Sequence, residues 1–177
     1  TSPAPGNWKG IQMSGTYDND GNGFFDHCVV RYAGTSSNSY SSITFNGSDS
    51  AFVKNSTVEY SEYEGIEANS DLVVENCSIN NNGSYGIYLN NGKPQINNCE
   101  FNNNDSYAAY LNNVDIIPYL NNTGAGNTIN AFAVSGYVKQ DLTLTQSTTG
   151  FPYVIEGDVT VFDNCTLTIP PGEIIKL

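Results

Sequence analysis

Val74-Glu-Asn-Cys-Ser-Ile79 and Ile96-Asn-Asn-Cys-Glu-Phe101 are one pattern written twice, 22 residues apart. Val53-Lys-Asn-Ser-Thr-Val58 and Leu120-Asn-Asn-Thr-Gly-Ala125 lie on the same template, with asparagine third in each, at 55, 76, 98 and 122. The steps are 21, 22 and 24 residues. A short strand recurring at this period specifies a solenoid, in which no repeat buries its apolar face alone and stacking builds the core.

A second ladder runs at the same period. Small-apolar pairs occur at Gly10-Ile11, Ser42-Ile43, Gly65-Ile66, Gly86-Ile87 and Ala108-Ala109, followed two residues on by Met13, Phe45, Ala68, Leu89 and Leu111. Alternation along a strand sends Ile87 and Leu89 to the core and Tyr88 to the surface. The same rule puts Cys28, Ser56, Cys77, Cys99 and Cys165 inside. Asn80-Asn-Asn-Gly-Ser84 and Asn102-Asn-Asn-Asp-Ser106 are turns, because asparagine and glycine tolerate positive φ. No amphipathic helix is predicted. The expectation is an all-β, parallel β-solenoid over residues 1–177, with about seven to eight coils. It stands as a single domain or as one unit of a longer array.

Composition narrows the partners. Six Lys and Arg against 18 Asp and Glu leave a net charge of −12 and a pI near 4.1. Nucleic acid and anionic lipid are bound through clustered cations that this chain lacks. No apolar run of about 20 residues predicts a membrane span. Calcium and neutral sugars are the partners such a surface suits, and an exported protein would carry its leader ahead of Thr1.

The Asn-Cys and Gly-Ile repeats from about Gly6 to Asn130 resemble the right-handed parallel β-helix family, the pectate-lyase-like solenoids. Leu167-Thr-Ile-Pro-Pro-Gly-Glu-Ile-Ile-Lys176 is similar to a string that opens β-helices in large surface proteins of bacteria and archaea, where a Trp-x-Gly-Ile segment follows; here Trp8-Lys-Gly-Ile11 stands at the other end. The resemblance implies a non-catalytic, extracellular or cell-surface structural module, such as a surface-layer, filament or adhesin unit. Its partner would be itself, end to end, or neighbouring domains of the same chain. The alternative is a carbohydrate-binding or polysaccharide-cleaving β-helix. Lyases of the family use calcium-holding carboxylates with an Arg or Lys base, and hydrolases use spaced Asp pairs with a His-Gly motif. This chain has one arginine, Arg31, in a strand context, and one histidine, His27, in the asparagine column.

Asp18-Asn-Asp-Gly-Asn-Gly-Phe-Phe-Asp26 carries the sharpest chemistry. Asp18, Asp20, Asn22, the Phe24 carbonyl and Asp26 follow the spacing of a calcium loop, with glycine at the sixth position. Val29 stands where such loops place a bidentate Glu, so the rest of the shell would come from a neighbouring coil or water. A turn rich in Asp, Asn and Gly is the plainer reading.

Three weaker sets complete the reading. Glu59, Glu62, Glu64, Glu67, Asp71 and Glu75 crowd one coil, as a solvated face or as a source of an acid and base pair. Tyr40, Tyr63, Tyr85 and Tyr107 form a column for stacking on one another or on sugar rings. Among the cysteines only Cys77 and Cys99 fall on successive coils, and buried thiols are expected ahead of a disulfide. Sequons begin at Asn46, Asn82, Asn104 and Asn121, with Asn55, Asn76 and Asn164 expected to be shielded in the ladder.

Overall fold

The computed structural model describes residues 2–15, 22–35, 40–47 and 51–176. The chain winds as triplets of short strands. β1 (Ile11–Ser14), β2 (Gly23–Asp26) and β3 (Val29–Arg31) are the first triplet, and β4 (Ile43–Asn46), β5 (Ala51–Lys54) and β6 (Thr57–Glu59) the second. β7 (Ile66–Ala68), β8 (Leu72–Glu75) and β9 (Ser78–Asn80) follow, then β10 (Ile87–Gly92), β11 (Pro94–Asn97) and β12 (Glu100–Asn102). Longer strands take over in β13 (Tyr107–Asp115) and β14 (Ile129–Val138). After them come β15 (Leu142–Thr143), β16 (Tyr153–Val161), β17 (Leu167–Thr168) and β18 (Ile175–Lys176). One helical turn, α1 (Gln146–Thr149), interrupts the strands.

Equivalent strands stack in parallel. The first sheet runs β1-β4-β7-β10-β13-β14-β16-β18, the second β2-β5-β8-β11 and the third β3-β6-β9-β12, while β15 pairs with β17. The result is an all-β solenoid of about six turns and about 22 residues per turn. The count falls below seven to eight because the first step, from Ile11 to its register partner Ile43, takes 32 residues. The second and third sheets also stop at four strands.

Inside, the expected ladders hold residue for residue. Ile11, Ile43, Ile66, Ile87 and Ala109 are successive register partners, as are Met13, Phe45, Ala68, Leu89 and Leu111. Val53, Val74 and Ile96 face them from the second sheet and Val58, Ile79 and Phe101 from the third, all with no exposed surface. Each such side chain contributes about 1.5–3 kcal/mol of burial. Past β12, rings fill the interior: Phe132 stacks on Phe151 at 5.3 Å, and Phe101 meets both edge-on.

The corners explain the asparagines. His27, Asn55, Asn76, Asn98 and Asn121 take positive φ at the corner that leaves the second sheet, a conformation asparagine adopts at low cost. Asn55 donates to Asp26, Asn76 to Asn55, and Asn121 to Asn98 at 2.8, 3.2 and 3.2 Å. The ladder member in the fourth repeat is therefore Asn121, not Asn122; Asn122 is buried and accepts from the Cys99 amide at 3.0 Å. It occupies the inward column of Cys28, Ser56, Cys77 and Cys99.

A second ladder is buried where the third sheet turns into the first. The Asn82 amide nitrogen donates to Asn104 Oδ1, the Asn104 amide nitrogen to Asn127 Oδ1, and the side-chain nitrogen of Asn104 to the Ile79 carbonyl. This ladder sets the small residues of the Gly-Ile pairs: a Cβ on Gly86 would lie 2.5 Å from the Ala108 carbonyl oxygen and 3.1 Å from Asn104 Nδ2. It also reverses the shielding expected of the sequons. Asn82 and Asn104 are 1% exposed, whereas Asn55, Asn76 and Asn164 face solvent. All four cysteines are free, with Cys77 and Cys99 buried in the core.

Candidate functional site

The residues of the acidic coil do not share one face. Glu59 pairs with Arg31 at 3.0 Å on the third sheet, Glu75 with Lys54 at 3.0 Å on the second, and Asp71 accepts from the Lys93 backbone amide at 2.8 Å. Glu64 and Glu67 converge on the outer face of the first sheet. The Ser41 hydroxyl lies 3.0 Å from Oε2 of Glu64 and 3.1 Å from Oε2 of Glu67, and Ser84 donates to the other oxygen of Glu64 at 3.3 Å.

Glu64 is not solvated. It is 3% exposed, and burial raises its carboxyl from the ordinary 4.5 to about 7 despite the two hydroxyls, with the charge of Glu67 acting in the same direction. Burial raises Glu67 as well, against the Ser41 bond. A carboxyl that titrates near neutrality beside a second carboxylate marks a site candidate.

Two columns lead from these carboxylates along the sheet. Glu67, Tyr88 and Tyr110 are register partners. Glu64, Tyr85 and Tyr107 form the neighbouring column, because the Gly65 amide donates to the Tyr85 carbonyl and the Gly86 amide to the Tyr107 carbonyl. The tyrosine column expected from spacing is thus half right. Tyr85 and Tyr107 stack at 6.3 Å, but the earlier positions hold Ser41 and Glu64, one residue beyond Tyr40 and Tyr63. Their neighbours in the platform come from the other column: Tyr88 lies 5.9 Å from Tyr110, and Tyr85 5.8 Å from Tyr88 and 5.1 Å from Tyr110. Period alone did not reveal Tyr88 and Tyr110; alternation from Ile87 did place Tyr88 outside.

At its far side the platform rests on small residues. Ala131, Ala133 and Val154 are buried beneath Tyr107, whose hydroxyl bonds the Glu156 carboxylate. Desolvation and that carboxylate push the Tyr107 hydroxyl up to about 12. The rings are held by sheet register below and by each other: Tyr107 is buried, and the half-buried Tyr85, Tyr88 and Tyr110 form the part of the platform that reaches the surface.

Of the proposed calcium ligands, Asp18 and Asp20 lie outside the described residues. The Phe24 ring is exposed and stacks on Phe52 at 5.3 Å, and Asn22 is exposed. The Asp26 carboxylate accepts from Asn55 and lies 2.8 Å from His27 Nδ1. The Asn55 bond leads the causes that hold its pKa below the usual value. Among the described residues no group of three or more His, Cys, Asp or Glu is placed to hold a metal. A polar groove of about 300 Å³ lies further along the solenoid, lined by Asn112, Asn113, Ser135, Gly136, Gly157 and Asp158. It presents no buried titratable group.

No curated protein and no solved structure matches the chain significantly. A family model does: the right-handed beta helix region matches residues 7–149, which hold the stacked triplets, both asparagine ladders and the tyrosine platform. The chain belongs to the right-handed beta helix family.

Proposed function

We propose that the chain is a non-catalytic extracellular module whose rigid solenoid presents the tyrosine and carboxylate face of the first sheet to carbohydrate. The observation that carries this reading is the platform of the half-buried Tyr85, Tyr88 and Tyr110, backed by the buried Tyr107 and adjoining Glu64 and Glu67. Aromatic surfaces take the apolar faces of sugar rings, and a few fixed polar groups orient them. Binding is favoured over cleavage because Glu64 and Glu67 converge on the single hydroxyl of Ser41 rather than flanking a space between them. A general acid must instead reach the glycosidic oxygen. The net charge of −12 favours neutral or amine-bearing glycans over acidic ones.

Depletion of the protein by insoluble polysaccharides tests this reading, with sugar release assayed in parallel. Retention by at least one neutral or amine-bearing polysaccharide is expected, lost in Tyr88→Ala and without product. Release of reducing or unsaturated sugar would make the face an active site, and failure of every polysaccharide to retain the protein would remove the reading.

A second reading, end-to-end association into a surface layer or filament, is favoured by the apolar side chains near the two ends. Trp8, Phe24 and Val29 are exposed near one end, and Phe162, Ile169 and Ile174 near the other. Electron microscopy of the natural material tests it: a repeat near 30 Å would support stacked units of six coils about 4.8 Å apart, and isolated short rods would not. Calcium bound by the Asp18 to Asp26 loop would harden one of these ends. A melting temperature indifferent to calcium would remove that role.

A further inference from the structure

No cation of the described residues is paired with Glu64 or Glu67. Among the described residues, Arg31 and Lys54 pair with Glu59 and Glu75, Lys93 and Lys139 both lie against Asp115, and Lys9 lies over the Tyr40 ring. The Ser41 hydroxyl reaches both carboxylates yet owns one proton, so it can satisfy one of them as donor. An independent group points to the same place. Thr44 alternates with core residues Ile43 and Phe45, which turns its side chain to the outer face, in register with Glu67. It is 3% exposed, and its hydroxyl has no hydrogen-bond partner among the described residues. The aromatic stack ends beside these groups: among the described residues no ring stacks on Tyr85 or Tyr88 from the side of Glu64 and Glu67.

Ser84 serves the other oxygen of Glu64, so once Glu64 is ionised the single shared proton of Ser41 leaves one carboxylate oxygen, and the Thr44 hydroxyl, without a donor among the described residues. A primary ammonium has three N–H groups, one for each carboxylate and one for Thr44. Its positive charge would lie at the open end of the ring stack, where an aromatic face attracts a cation and takes the carbon skeleton bearing it. We infer that Ser41, Thr44, Glu64 and Glu67 form a receptor for a primary ammonium group carried on a sugar, with Tyr85 and Tyr88 seating the ring, so that the ligand class is a glycan with free amines. The inference rests on the reading of the tyrosine face as a sugar surface and adds the amine to it. The titratable groups facing Glu64 are Glu67 on its own strand side and Tyr85 and Tyr88 on the next coil, with Tyr63 nearby. Since Glu64 holds its proton to about pH 7 in the unliganded protein, affinity falls as the solution is taken from pH 7 to pH 5.

Calorimetric titration of the whole chain with oligomers of β-linked glucosamine, their fully N-acetylated counterparts and oligolysine tests the inference. The glucosamine oligomers are expected to bind. N-acetylation and Glu64→Gln should each weaken that binding by about tenfold or more, and oligolysine should bind about tenfold more weakly. Glu67→Gln, at a half-buried position, should give the same loss and keeps the test open if Glu64→Gln does not fold. Equal affinity for acetylated oligomers overturns the ammonium receptor and leaves the sugar face standing. No binding of either sugar removes both, and oligolysine binding as tightly as glucosamine oligomers overturns the sugar as the carrier.

Discussion

The coil of Glu64 to Ala68 and the coil of Tyr85 to Leu89 have the same backbone and nearly the same interior, and they part company only outside. Inward, Ile66 stands on Ile87 and Ala68 on Leu89; outward, Glu64 adjoins Tyr85 and Glu67 adjoins Tyr88. The inner positions must repeat because each coil's apolar face is completed by the next. The outer ones have no such duty, so an abrupt change there reports what the surface does rather than how it folds.

Breaking the interior should be costly wherever the outer face is left alone. Asn104→Ala removes the acceptor of the buried Asn82 amide and the donor to the Ile79 carbonyl. Two orphaned groups at about 1–3 kcal/mol each predict a loss of about 4 kcal/mol in denaturant unfolding. A loss under about 1 kcal/mol would mean that the buried ladder is dispensable.

On the outer face the effect is a pH dependence. Glu64 titrates near 7 when folded against 4.5 when unfolded, so the folded protein holds an extra proton between those values. The associated stability is complete below about pH 4.5 and is lost as pH rises through about 7. Relative to Glu64→Gln, the native protein should lose about 2–3 kcal/mol between pH 5 and pH 8. Parallel stability curves for the two proteins would contradict the burial of this carboxyl.

Smaller changes sharpen the contrast between the two asparagine ladders. Asn76→Ala loses one exposed side-chain bond and places alanine at φ 55, which should cost about 1–2 kcal/mol, well under Asn104→Ala. Least of all, Glu67→Tyr would extend the column of Tyr88 and Tyr110 by one coil. It should change stability by at most about 1 kcal/mol while removing amine binding, as calorimetry would record.

How far the sequence could be read follows from the same contrast. The inward ladders were legible because identity repeats there: the isoleucines before Ala109 and the residues two further on fell in register as read. The outer columns were misread by one residue because the step from Ile66 to Ile87 is 21, which aligns Tyr85 with Glu64, whereas the mean period aligns it with Tyr63. Leu120-Asn-Asn-Thr admits two alignments, and only the positive φ of Asn121 decides between them. Burial of Asn82 and Asn104 was hidden because turn chemistry and a buried polar ladder ask for the same residue. The meeting of Ser41 with Glu64 and Glu67, 23 and 26 residues apart in sequence, had no local signal at all.

Hydrogen exchange with and without a mixture of glucosamine and N-acetylglucosamine oligomers tests most directly that the outer face of the first sheet is the functional surface. The account predicts added protection confined to peptides covering residues 40–44, 61–67, 84–89 and 106–111. Protection near residues 2–15 and 162–176 instead, or none anywhere on the solenoid, would contradict it.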